Sequence, residues 1–241
     1  MKLTFLLLIF SIFHIGSDNE LNVKTELKNL EASYKKNDPI WMLLTYTSYS
    51  DSKTTVPLDV LNGDYLINKD NYKHKINEIL TVKNSKYVFT VDPKNKILLV
   101  ADQNTRKNTP VFSTDSLLKS AIECHVKQEN SKTRSIEAIY NQKYISGNSI
   151  ERVKVFYSSQ SFLMSKMILY YAREMKLDNT KPDLSEKPRL EIIFERKGLP
   201  KLIEKDIFSE KEYFDVMNDQ IVLTEKLKNY SISDQRILKK P

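Results

Sequence analysis

The sequence predicts an α+β fold, a curled antiparallel sheet lidded by helices. Three observations lead there. Short runs of β-branched and aromatic residues succeed one another with turn chemistry between them, only two segments have helical periodicity, and no long crossover separates consecutive strands. A parallel doubly wound sheet would need a helix after every strand, and the short turns forbid it.

The firmest element is a hairpin. Residues 86–91 (KYVFTV) and 96–101 (KILLVA) flank Asp92-Pro93-Lys94-Asn95. Proline presets the second residue of a type I turn, and asparagine tolerates the left-handed conformation that closes it. Upstream, residues 21–36 carry Leu27, Leu30 and Tyr34 at helical spacing with Val23 a turn earlier, and Asp18 or Asn19 is placed to cap them. Asp38-Pro39 ends that helix, because a residue before proline is pushed out of the α region. Strands are expected over 40–49 (IWMLLTYTSY), over 56–68 with Gly63 as a bulge or bend, and over 72–82. Residues 104–109 (NTRKNT) read as a loop. Ser113-Thr114-Asp115 then caps a second expected helix over 116–128 (SLLKSAIECHVKQ), whose Leu117, Leu118, Ala121 and Ile122 share one face.

A second β set is expected over 134–144, 150–158, 162–175 and 189–196, with turns at 146–149 and 158–161 and a polar insertion at 176–187. Beyond Gly198-Leu199-Pro200 the tail alternates only weakly, over 213–216, 221–223 and 229–233. Several strands are apolar on both faces. Ile40, Met42 and Leu44 alternate with Trp41 and Leu43, Ile97 and Leu99 with Leu98 and Val100, and Ile168 and Tyr170 with Leu169 and Tyr171. A soluble antiparallel sheet normally keeps one wet face. The second apolar face therefore packs on helices, meets a second sheet as in a sandwich core, or lines a cavity.

The amino terminus reads as a secretory leader. Met1-Lys2 is followed by an apolar run too short to span a bilayer and then by Gly16-Ser17. Residues 1–16 are the expected signal peptide and 17–241 a single β-rich domain, secreted across the inner membrane into the periplasm; no linker marks a second domain, and no cysteine follows the leader as a lipobox requires. The single Cys124 excludes an intramolecular disulfide, which a domain of this size does not need. The 38 Lys+Arg against 31 Asp+Glu leave a net charge of +7. That surplus is scattered, with no basic stripe for nucleic acid. No apolar run behind the leader reaches membrane length.

The order of elements resembles the periplasmic lipoprotein-carrier proteins, the LolA/LolB-like family. The residues that carry the resemblance are the leader, the amphipathic helix, and the meander containing LNGDYLIN and YVFTVDPKNKILLVADQ. It implies an unclosed antiparallel β-barrel or half-barrel lidded by helices, with an apolar cavity for acyl chains. The tail from Lys201 departs from that pattern, and no arginine corresponds to the family's cavity arginine. On this reading the expected ligand is lipid or a lipidated protein, with an envelope protein as a further partner, and Trp41, Leu43, Tyr65, Phe89, Leu169 and Tyr171 are the candidate cavity residues. The 13 Tyr and 6 Met suit such a cavity, since methionine adapts its shape and tyrosine sets a polar tip on an apolar body. The alternative is a structural or interaction protein of the envelope whose sheet is filled by its own side chains.

No catalytic motif, cofactor fingerprint or metal site is legible, and the protein is expected not to be an enzyme. Of His14, His74 and His125, one leaves with the leader and the others lie in different elements. Cys124-His125 would diverge by about 100° on a helix. Four glycines form no phosphate loop. Glu191 and Glu195 read as partners of Arg189 and Arg196 in solvated cross-strand ion pairs rather than as a glycosidase pair. Asn229-Tyr230-Ser231 is a formal glycosylation sequon.

Overall fold

A computed structural model describes residues 22–36, 39–103, 121–140, 150–172, 175–176, 185–198 and 207–237. The expected leader, the loop at 104–109 and residues 116–120 of the second expected helix lie outside them.

The chain enters through helix α1 (Val23–Lys36). Its cap is Asn22, whose side-chain oxygen accepts the Thr25 N–H at 3.2 Å, in place of the expected Asp18 or Asn19. A meander follows: β1 (Ile40–Tyr49), β2 (Asp59–Asn68), β3 (Asn71–Ile76), β4 (Ile79–Lys83), β5 (Tyr87–Asp92) and β6 (Ile97–Asp102). The run expected as one strand over 72–82 is broken at Asn77, which turns with φ 50°. In the β5–β6 hairpin, Asp92 Oδ1 accepts the Asn95 N–H at 3.0 Å, and the left-handed residue is Lys96, at φ 50°.

A second meander runs β7 (Ala121–Asn130), β8 (Thr133–Tyr140), β9 (Ile150–Ser158) and β10 (Met164–Tyr171). The two-residue strands β11 (Met175–Lys176) and β12 (Ser185–Glu186) pair with each other. Then come β13 (Arg189–Lys197), a hairpin of β14 (Phe214–Met217) and β15 (Gln220–Leu223), and β16 (Ser231–Asp234). Twelve strands form one sheet in the order β16-β6-β5-β4-β3-β2-β1-β13-β10-β9-β8-β7. β13 lies between β1 and β10, antiparallel to both, and so joins the two meanders. The result is a curled, unclosed, antiparallel-rich sheet with one described α-helix. Among the described strands, the single parallel pair is β16 on β6.

Two further expectations are corrected. The predicted helix over 116–128 is strand from Ala121 onward, paired along β8. Cys124 and Val126 alternate with the exposed His125 and Lys127, a period of two that pairing with β8 rewards more than the helical spacing at its start. The turn that follows is marked by Asn130, whose Oδ1 accepts the N–H groups of Lys132 and Thr133, each at 2.9 Å. Gly63 is no bulge either: its register runs unbroken on both sides. A Cβ there would stand 3.2 Å from both the Lys75 carbonyl and the Tyr46 ring, so glycine leaves room for Tyr46 against the strand.

Each face of the sheet is covered over part of its width. On the helix face, Leu27 and Leu30 of α1 pack against Ile40, Met42, Leu44, Ile136, Val155, Tyr157, Met164 and Phe194. On the opposite face, the tail lays Phe208, Tyr213, Phe214 and Leu227 over Leu66, Val82, Phe89, Val91, Leu98 and Val100. The adjacent residues Tyr65 and Leu66 belong to different clusters, as strand alternation requires. The rest of the opposite face, across β8, β9, β10 and β13, carries charged side chains together with the buried Ile168 and Arg189. Arg152–Glu137, Lys154–Glu129 and Lys166–Glu191 ion pairs step across it. Glu191 also takes Arg189 Nε at 3.0 Å, but along the same strand and largely buried, so the expected solvated cross-strand pairing with Arg189 is not what forms.

Candidate functional site, an apolar tyrosine-lined face

The helix covers only one end of its face. Its hydrogen bonds to the second meander run through Arg134, Tyr157, Ser161 and Met164. Leu169 lies five residues farther along β10, roughly 17 Å at the usual strand rise. Register places Leu169 beside Leu190 and Val153, and Tyr171 opposite Ile150. Across β13, Ile192 pairs with Tyr46, and Tyr46 with Leu61. All of these except the buried Val153 are half-buried, so the apolar surface continues outward from the core.

The polar atoms on this face are muted. Tyr46 Oη and His74 Nε2 lie 3.2 Å apart. The Tyr65 ring meets His74 edge-on at 5.0 Å and Tyr72 at 5.7 Å. Burial pushes the Tyr65 phenol above its ordinary range, with Tyr72 and Tyr46 adding to it, and pushes Tyr140 up to about 12. Burial also holds His74 below the usual histidine range, while the Asp64 carboxylate pulls the other way. At neutral pH these groups carry no charge. They can form hydrogen bonds without repelling hydrocarbon.

The six residues expected to line a cavity divide between the two faces. Tyr65, Leu169 and Tyr171 are on the helix face, where Leu169 packs against the helix-side core. Trp41, Leu43 and Phe89 are on the opposite face. Phe89 is fully buried beneath the tail, and Trp41 packs beside that cluster and donates its indole N–H to Asp64 at 2.5 Å. Leu43 pairs in register with Asp64 and Glu195. The six therefore do not line one cavity, because alternation separates Trp41 and Leu43 from Met42 and Leu44. Tyr46, Leu61, Leu190 and Ile192 belong to the helix face and escaped the sequence reading. The period of two through Ile40, Met42, Leu44 and Tyr46 could have found the first of them.

Nucleophilic and metal chemistry find no footing among the described residues. Cys124 and His125 are neighbours on a strand and point to opposite faces, and burial pushes the Cys124 thiol up, keeping it protonated. His125 instead meets Glu123 at 3.3 Å in solvent. Among the described residues, no group of three or more His, Cys, Asp or Glu could hold a metal ion, and no helix is long and apolar enough to cross a membrane.

No family model and no curated protein matches the sequence. Similar solved structures include an uncharacterized conserved protein from Thermus thermophilus, at 10% identity over 76% of this chain and 94% of that one, with a TM-score of 0.40. A LolA superfamily protein from Nitrosomonas europaea is similar at 10% identity over 77% of this chain and 99% of that one, with a TM-score of 0.33. The lipoprotein LppX from Mycobacterium tuberculosis is similar at 7% identity over 74% of this chain and 97% of that one, with a TM-score of 0.39.

Proposed function

We propose that this protein is a non-enzymatic carrier or binding protein that holds the acyl chains of lipid or of a lipidated protein against the helix face of its sheet. The supporting observation is the half-buried surface of Tyr46, Leu61, Leu169, Tyr171, Leu190 and Ile192, continuous with the core and bordered by uncharged Tyr65 and His74. A flexible chain gains about 0.8 kcal/mol for each CH₂ removed from water, so a dozen methylenes contribute about 10 kcal/mol before entropic costs. Export through a leader at residues 1–16 would place the protein in a lipid-rich envelope compartment, the periplasm.

The test is native mass spectrometry of the mature protein taken from the periplasmic fraction. The expected result is a chain beginning near Ser17 that carries fatty acid or phospholipid on a substantial fraction of molecules. A lipid-free protein that also fails to bind added fatty acid saturably would refute the proposal.

A further inference from the structure

Among the described residues, Glu26, Arg189 and Lys83 are buried charged side chains. Glu26 holds Arg134 and Tyr157, and Arg189 donates to Glu191 and to the Asp51 carbonyl. Lys83 is only 3% exposed, yet its ammonium makes no hydrogen bond or ion pair among the described residues. The contrast with the next residue is sharp. Asn84 is buried too, and its side chain accepts from the Lys86 and Tyr87 N–H groups and donates to the Phe208 carbonyl and Glu210. An unpaired buried ammonium is among the costliest groups a fold can hold.

Lys83 also has a telling position. Register sets it between Tyr72 of β3 and Val88 of β5, on the helix face. Tyr72 leads through its ring contact to Tyr65 and on to His74 and Tyr46. We propose that Lys83 binds the anionic head group, carboxylate or phosphate, of an acyl ligand whose chain lies along that tyrosine row. This rests on the acyl-binding reading above. Burial holds the ammonium below the usual lysine range, with Asp70 opposing, and an incoming anion would favour the charged form further.

The experiment compares oleate with oleyl alcohol, which share a chain but not a charge, on the full mature chain and on Lys83→Met and Lys83→Gln. Wild type should favour oleate about tenfold or more, the worth of a charge-assisted hydrogen bond, and both variants should lose that preference while still binding the alcohol. Without ligand, Lys83→Met should melt no lower than wild type, because it removes an unpaired buried charge. Acetate and inorganic phosphate alone should not displace oleate. Equal binding of oleate and alcohol by wild type, or a Lys83→Met protein that melts lower, overturns the head-group assignment and leaves acyl binding standing. Inorganic phosphate binding as tightly as oleate overturns it in favour of a free-anion site. Failure of both oleate and alcohol to bind wild type removes the acyl reading itself, and this proposal with it.

Discussion

Replacing Phe89 with alanine should cost about 4 kcal/mol of stability, the upper range for deleting a buried aromatic ring. Phe89 is fully buried and is the hub on which the tail closes. Its ring meets Phe214 edge-on at 5.4 Å and Tyr213 at 5.2 Å, and Val82, Val91, Leu98 and Val100 complete the cluster. Little can collapse into the space, because a sheet backs it on one side and a two-stranded hairpin on the other. The loss should appear as a lower denaturant midpoint and as early proteolysis within 207–237, while α1 stays protected. A loss under about 1 kcal/mol with an intact tail would mean that the hairpin does not depend on this cluster.

Glu26→Ala should cost about 3 kcal/mol, for an electrostatic reason. The Glu26 carboxylate, 4% exposed in the first turn of α1, accepts Arg134 Nη1 at 2.9 and 3.1 Å and the Tyr157 hydroxyl at 2.6 Å. Burial, and then the bond to Glu26, push the Tyr157 phenol above its ordinary range, so it remains a donor. Alanine leaves a guanidinium and a phenol without their acceptor beneath the helix. Hydrogen exchange should quicken through Val23–Lys36 more than through β5 and β6. The double variant Glu26→Leu with Arg134→Met should recover most of the loss, since an apolar pair of similar volume removes the stranded charge. A double variant as unstable as the single one would contradict this.

Local chemistry made much of the fold legible. The β5–β6 hairpin was visible because Asp92-Pro93 and Asn95 encode their turn within four residues, and α1 because Leu27 and Leu30 repeat on one stripe. What escaped depends on pairing and packing rather than on local pattern. Residues 121–128 carry a helix-like start, and their strand identity comes from pairing with β8 across the Asn130 turn. The position of β13 between β1 and β10 has no local signature, because β1 is separated from it by the whole second meander. The tail left the faintest trace. Phe208, Tyr213 and Phe214 look like scattered aromatics until Phe89 and Leu98 are seen to lack a cover. The same blindness mixed the candidate cavity residues. Strands apolar on both faces suggested a cavity, but which face meets the helix and which meets the tail is decided by packing, and the tail lies more than a hundred residues from Trp41, Leu43 and Phe89.

That division gives the most direct test of acyl binding. Leu169→Asp places a carboxylate on the helix face beyond the helix, and Leu43→Asp places one on the opposite face, where Asp64 and Glu195 are already its register partners. Both positions are half-buried, so their effects on folding should be comparable. Titration with a fluorescent fatty acid should show binding weakened about tenfold or more by Leu169→Asp, as the desolvation of a carboxylate beside hydrocarbon demands, and unchanged by Leu43→Asp. Equal binding by both variants, or a loss confined to Leu43→Asp, would contradict the assignment of the ligand to the helix face.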